Sequence, residues 1–193
     1  MRSRRHVLPQ LGLAGLGLLG LGIFLSAISL GASSMQPKIV DQDEFQVIGI
    51  VARTTNAKEM SGEGIIGAQW GKFYKDGILD KIPNKVDSTI YAVYTVYESD
   101  RKGEYDFVIG ARVSSAPVIP PGMVARKIPK GRYAVVMTAS GPVQQVVPQA
   151  WKEVWDLEDN KQIRRAYKAD FEVYDQRSRD PQNSQVDLYI GIK

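Results

Sequence analysis

Apolar and polar residues follow two different periods along this chain. Residues 89–97 alternate as a half-buried β-strand does, with Ile90, Ala92 and Tyr94 on one face. Short runs rich in strand-forming residues predict further strands at 45–53, 106–113, 123–128, 132–139, 170–174 and 186–192. Apolar residues at helical spacing predict two amphipathic helices, at 65–74 and 144–157.

The predicted elements occur twice in the same order. Three landmarks of the first half recur 80 or 81 residues later, namely Trp70 as Trp151, Tyr94 as Tyr174, and Gly110 as Gly191. A period of this length indicates a duplicated supersecondary unit. We therefore predict an α/β (α+β) fold of two β-α-β-β units, at about 43–116 and 122–193. Their pseudo-two-fold relation would leave a central ligand cleft at the seam.

Residues 1–34 have a different character from the remainder. Arg2, Arg4 and Arg5 precede a run without charge from 11 to 30, which ends in small residues at 31–34. This pattern predicts a secretory signal peptide of the twin-arginine type. An uncleaved membrane anchor is the open alternative, because about 20 apolar residues span a bilayer core. Both interpretations place the remainder outside the cytoplasm, with 35–42 as a linker and 43–193 as the domain.

Charge and rare residues narrow the chemistry. The chain has 25 Lys+Arg against 21 Asp+Glu, and three of those arginines lie in 1–34, so the domain is nearly neutral. A surface that tracks nucleic-acid phosphates is therefore not expected. There is no cysteine, and the single histidine is His6. This excludes thiol and Ser–His–Asp chemistry in the domain, and we expect neither a metal nor a cofactor there.

Four segments in chain order carry a family resemblance, at 91–100, 103–110, 128–135 and 170–174. They resemble the GyrI-like small-molecule-binding domain, which is also the effector-binding module of AraC- and MerR-type transcription regulators. The resemblance covers about 43–193 and implies a central pocket for cationic, lipophilic compounds. Those regulators carry a helix-turn-helix ahead of this domain. Only about ten residues separate the apolar segment from the first predicted strand here, so we expect a stand-alone domain.

The resemblance also implies the residues of the site. The acidic residue of its Phe-Glu-x-Tyr strand lies in the pocket, and Glu172 holds that position here, opposite Ala92 of the repeat. The aromatic walls match Trp70, Tyr94, Tyr133 and Trp151. The alternatives without a binding role are a solvated or salt-bridged glutamate and aromatic residues that only fill the core. The glycines of 62–67 have dinucleotide-fingerprint spacing, but no predicted strand precedes them, so they indicate a lid or helix-entry loop.

The sequence therefore predicts a binding domain for a small hydrophobic, cationic organic molecule, with Glu172 as its counter-charge. An enzyme is the first alternative, since some family members resemble hydrolases that use a glutamate and a tyrosine. Glu172 would then act as general base, with Tyr94 or Tyr133 as proton donor. A protein-interaction module that has lost its pocket is the second alternative. Whether the protein is a monomer or a dimer stays open, and a membrane partner follows only if the N-terminal segment is retained.

Overall fold

A computed structural model describes residues 37–193 of the chain. The signal or anchor expected at 1–34 lies outside the described residues. Among 37–193, no helix combines the length and the apolar character that crossing a bilayer requires.

In the part of the chain that the structure describes, eight antiparallel strands form one sheet. In chain order they are β1 (Lys38–Gln42), β2 (Phe45–Thr54), β3 (Lys85–Thr95), β4 (Tyr105–Val113), β5 (Val124–Ile128), β6 (Gly131–Met137), β7 (Arg165–Tyr174) and β8 (Asp187–Ile192). Their spatial order is β1-β6-β8-β7-β3-β4-β2-β5. The predicted strands are all present, and the mixed α/β fold is confirmed.

The strand order shows the duplication directly. One half runs β3-β4-β2 and the other runs β7-β8-β6, so the pseudo-two-fold passes between the central strands β3 and β7. Ala92 and Glu172 are cross-strand partners at that seam. Each outermost strand pairs with the more distant repeat unit in the chain. Strand β1, which precedes the first unit, pairs with β6 of the second, and β5, which follows the first unit, pairs with β2 of the first. Lys38–Gln42 therefore belongs to the sheet, whereas 35–42 was expected as a linker; this edge strand is short and mostly exposed, so its sequence shows little apolar alternation.

Within residues 37–193, four α-helices accompany the sheet, namely α1 (Asn56–Ser61), α2 (Ile66–Lys75), α3 (Ile78–Lys81) and α4 (Val143–Asp159). The sequence predicted α2 and α4 to within two residues. It did not predict α1 or α3, because each is too short to show an apolar period and α1 buries none of its side chains. Residues of α2, α3 and α4 pack onto the face of the sheet that carries Ala92, Leu188 and Ile190.

No helix contributes to the apolar cluster on the other face of the sheet within residues 37–193, where side chains from different strands pack against one another. This cluster contains strand residues only, among them Phe45, Tyr133 and Phe171. Phe45 in β2 and Phe171 in β7 have ring centroids 5.4 Å apart, although two strands lie between them. Flat strands would put about 14 Å between β2 and β7. The sheet must therefore curl around this face, away from the helices.

Candidate functional site

Glu172 lies at the centre of the helix-covered face and is buried, with 1% of its surface exposed. Three neutral donors hold its carboxylate. The Tyr94 hydroxyl donates to Oε1 at 2.8 Å, and the Trp151 indole N–H donates to the same oxygen at 2.6 Å. The Tyr174 hydroxyl donates to Oε2 at 2.6 Å. Two of these donors occupy matched positions in the two repeat units, Tyr94 on β3 of the first and Tyr174 on β7 of the second.

No cation neutralises Glu172 among the described residues, whose ion pairs all involve other carboxylates. Burial raises the pKa of Glu172 above its usual value of 4.5, and the bonds from Tyr174, Trp151 and Tyr94 oppose that rise. Burial, with the nearby carboxylate, also raises the pKa of Tyr94 and Tyr174, so both phenols stay protonated and remain donors. The site therefore holds a carboxylate that is hydrogen-bonded but lacks a counter-ion.

A cavity of about 380 Å³ opens beside this carboxylate, between α1 and the start of α2 on one side and α4 on the other. Tyr94 and Trp151 form part of its wall, and Glu172 lies directly behind them. The other lining residues include Met60, Tyr97, Tyr105, Val147, Trp155 and Arg165. The lining also contains the charged side chains of Glu59 and Lys152. A mostly aromatic and apolar cavity of this size is suited to a small apolar molecule.

The remaining two predicted aromatic residues lie elsewhere. Trp70 on α2 does not line this cavity; its ring packs edge-on against Tyr174, with centroids 4.8 Å apart. Tyr133 lies on the opposite face of the sheet, where it packs against Phe171 and donates to the Pro129 carbonyl at 2.9 Å. Its expected place in the pocket is therefore corrected. Side chains alternate across a strand, and the register of β6 sends Tyr133 to the curled face.

A second depression of about 500 Å³ lies on the far side of Tyr174 and is lined by Tyr74, Asp87, Asp175 and Arg179, among others. The repeat relates the two cavities, because Tyr174 corresponds to Tyr94 and Tyr74 corresponds to Trp155. Glu172 thus lies between two repeat-related hollows. Of the two, the cavity beside Tyr94 and Trp151 has by far the more apolar and aromatic wall.

A second buried carboxylate stands next to the site, and the sequence analysis did not single it out. Asp170 is fully buried, and its Oδ2 accepts from Arg165 and from the Tyr97 hydroxyl, each at 2.6 Å. Its Oδ1 accepts from the Gly191 backbone N–H at 2.8 Å. Asp170 is therefore neutralised within the protein, unlike Glu172. The strand period places Asp170, Glu172 and Tyr174 on one face, which is the signal that would have found both Asp170 and Tyr174.

The glycine-rich segment at 62–67 connects α1 to α2, and only its last two residues line the cavity. Glu59 on α1 accepts the Ile65 and Ile66 backbone N–H groups at the start of α2, at 2.9 and 3.2 Å. A Cβ on Gly64 would overlap the Glu59 carboxylate, so glycine is required there. Gly67 lines the cavity, and a Cβ there would meet only open space. The loop is thus a helix-entry loop, as the sequence indicated.

This fold and this arrangement of an aromatic cavity over a buried carboxylate define an effector-binding domain of the GyrI-like class. Residues 38–192 match the Cass2 family, described as integron-associated effector binding protein, and the chain belongs to that family.

Among its relatives is the protein YobU of Bacillus subtilis (strain 168), which is 34% identical over 156 residues, 80% of this chain and 96% of YobU. An integron cassette protein from Vibrio cholerae has a solved structure that is 33% identical, with a TM-score of 0.66 over 82% of this chain and 97% of its own. The structure of SAV2435 bound to tetraphenylphosphonium shares the fold at 16% identity, with a TM-score of 0.68 over 82% of this chain and 94% of SAV2435.

Proposed function

We propose that this protein binds a lipophilic organic cation in the cavity beside Tyr94 and Trp151, with Glu172 as its counter-charge. The observation that carries the proposal is the buried carboxylate of Glu172, which has three neutral donors and no cationic partner among residues 37–193. A buried charge without a counter-ion lowers the stability of a fold, so a ligand that supplies the opposite charge gains from binding there.

Glu172 does not line the cavity, but its negative charge can still attract a cation through the aromatic wall. The centroids of the Tyr94 and Trp151 rings are 4.8 Å apart, and both side chains donate hydrogen bonds to Glu172. A cation on these rings is attracted by their π-faces and by the anion behind them. The apolar body of the ligand adds about 25 cal/mol for each Å² of surface that it buries. SAV2435, which shares the fold, has been seen bound to such a cation, tetraphenylphosphonium.

A thermal-shift experiment on the full chain tests the proposal. Tetraphenylphosphonium should raise the melting temperature in a concentration-dependent way, because it binds the folded state alone. Tetraphenylborate has the same shape and the opposite charge, so it is the matched control and should give no comparable rise. Equal shifts with both ions, or no shift with either, would refute a cation site. Ester turnover that is lost in Glu172→Gln would favour the hydrolase alternative instead.

We also propose that the domain works outside the cytoplasm, exported or tethered by residues 1–34. The support is the sequence pattern of that segment, with Arg4 and Arg5 ahead of an uncharged run. Cell fractionation of the full chain should find the protein in the extracytoplasmic or membrane fraction. An Arg4→Lys/Arg5→Lys variant should stay in the cytoplasm. N-terminal sequencing would separate cleavage near Ser34 from a retained anchor, and a cytoplasmic wild-type protein would contradict the proposal.

A further inference from the structure

A second hollow is related by the internal repeat to the cation cavity, and the proposed function gives it no role. This far hollow, about 500 Å³ in volume, lies on the far side of Tyr174 and is lined by Tyr74, Asp87, Ile90 and Arg179, among others. Tyr74 on α2 is 65% exposed. An exposed aromatic side chain at the rim of a hollow is a common feature of binding surfaces.

The rings around Tyr74 form a continuous aromatic wall. Tyr74 stacks on Trp70, with centroids 5.8 Å apart and ring planes at 23°. Trp70 packs edge-on against Tyr174, at 4.8 Å between centroids. The matching pair of the cation cavity, Tyr94 and Trp151, also packs edge-on at 4.8 Å. The far hollow therefore offers a small aromatic ligand the same kind of wall as the cation cavity.

The carboxylate of Glu172 is shared between the two hollows. Its Oε1 accepts from Tyr94 and Trp151, which line the cation cavity. Its Oε2 accepts from the Tyr174 hydroxyl at 2.6 Å, and Tyr174 lines the far hollow. One negative charge, which has no counter-ion among residues 37–193, therefore lies behind an aromatic wall of each hollow.

The charged groups of the far hollow do not bar a cation. Asp87 and Arg179 have opposite charges and form no ion pair within residues 37–193. The third charged residue of the wall, Asp175, is paired with Arg177 at 2.9 Å. These charges nearly cancel, so the anion of Glu172 behind the wall favours a positive ligand. Asp87 is exposed, and its carboxylate can accept a hydrogen bond from an ammonium group.

We propose that the far hollow is a second cation site, for a small aromatic ammonium ion, and that the two sites compete for the charge of Glu172. The ring of the ligand packs on Tyr74 and Tyr174, and its ammonium group faces Asp87. This inference adds a site to the proposed function and shares with it the charge of Glu172.

The competition has a size that follows from Coulomb's law. Two cations on opposite sides of Glu172, each roughly 6 Å from its carboxylate, lie roughly 12 Å apart. At an effective dielectric constant of about 20, their repulsion raises either Kd about tenfold when the other site is occupied. The factor is the same in both directions, because coupling between two binding sites is reciprocal.

The three tryptophans of the chain separate the two sites in a ¹H–¹⁵N spectrum of the full chain. Trp70 packs against Tyr74 and Tyr174, whereas Trp151 and Trp155 line the cation cavity. Phenethylammonium should shift the Trp70 indole signal in a saturable way. Phenethyl alcohol is the matched control, since a hydroxyl replaces the ammonium group, and it should bind at least about tenfold more weakly. Saturating tetraphenylphosphonium should raise the phenethylammonium Kd read at Trp70 about tenfold.

Variants and outcomes separate this inference from the proposed function. Tyr74→Ala should raise the phenethylammonium Kd about tenfold, whereas Val118→Ala, at an exposed position that lines neither hollow, should change it by less than about twofold. A silent Trp70 signal in a protein that binds tetraphenylphosphonium would refute the second site and leave the proposed function standing. An equal response to the alcohol would refute a cation site in the far hollow. A Kd that tetraphenylphosphonium leaves unchanged would refute the shared charge. Failure of tetraphenylphosphonium itself to bind would count against the proposed function, and the two phenethyl compounds would still decide the far hollow.

Discussion

Replacing Glu172 by glutamine removes the charge of the site and leaves its shape almost intact. The amide oxygen can keep the bonds from Tyr94 and Trp151, while the Tyr174 hydroxyl can turn to accept from the new amide group. Folding stability should therefore change by no more than about 1–2 kcal/mol, the range for one hydrogen bond. The fold does not depend on this charge, so the variant isolates its role in binding.

The expected loss of affinity follows from Coulomb's law. A cation on the faces of Tyr94 and Trp151 lies about one ring away from the Glu172 carboxylate, a charge separation of roughly 6 Å. At an effective dielectric constant of about 20 this attraction is about 3 kcal/mol, which corresponds to about a hundredfold in Kd. Glu172→Gln should therefore weaken tetraphenylphosphonium binding by about two orders of magnitude.

Isothermal titration measures this loss, and circular dichroism confirms that each variant is folded. Glu153→Gln is the matched control, because Glu153 is an exposed carboxylate on α4, the helix that carries Trp151, and does not line the cavity. Its Kd should stay within about threefold of wild type, since an exposed charge is screened by salt. A Glu172→Gln variant that is folded and binds tetraphenylphosphonium as tightly as wild type would refute the counter-charge role. So would an equal loss of affinity for cationic and uncharged ligands.

Three further predictions concern the pH dependence of cation binding, two glycine substitutions, and Tyr133 on the curled face of the sheet. Because burial raises the pKa of Glu172 above 4.5, cation affinity should fall as the pH is lowered through that raised pKa, and a pH titration of Glu172→Gln should lack this step. The folding stability of the ligand-free protein should change in the opposite direction. Because the pKa of Glu172 is raised in the folded state, the contribution of this group to stability is lost as the pH rises through that pKa. Gly64→Ala should lower stability by about 1–2 kcal/mol in thermal melts, because it displaces Glu59 from the start of α2, whereas Gly67→Ala should be neutral or stabilising by up to about 1 kcal/mol. Tyr133→Phe should cost about 1 kcal/mol of stability for its lost bond yet leave tetraphenylphosphonium affinity within about twofold of wild type.

Local patterns were enough to predict that Glu172 and Tyr94 lie close together, whereas the pocket role of Glu172 came from the family resemblance and stays a prediction. The offset of about 80 residues aligned Glu172 with Ala92, and the structure makes these two residues cross-strand partners. The period of two then put Tyr94 on the face of Ala92, and its hydroxyl does donate to Glu172. This inference worked because it needed only one strand pairing, and the internal repeat supplied that pairing.

The error at Tyr133 shows where such reasoning ends. Alternation within β6 tells which residues share a face, but it does not tell which of the two faces meets Glu172. That choice depends on the register of β6 against β8 and of β8 against β7, two pairings away from the site. A shift of one residue in either register would reverse it.

The sequence by itself determined the duplicated fold, the two main helices, the near-neutral domain without thiol or imidazole, and the acidic residue in β7. Each of these depends on composition or on short-range periodicity. Only the tertiary structure decided that, within residues 37–193, Glu172 has no cationic partner while Asp170 is paired with Arg165. Among the donors to Glu172, Trp151 and Tyr94 are 21 and 78 residues away in the chain, and Tyr97, which donates to Asp170, is 73 residues away. Only the packing of both repeat units brings these side chains together.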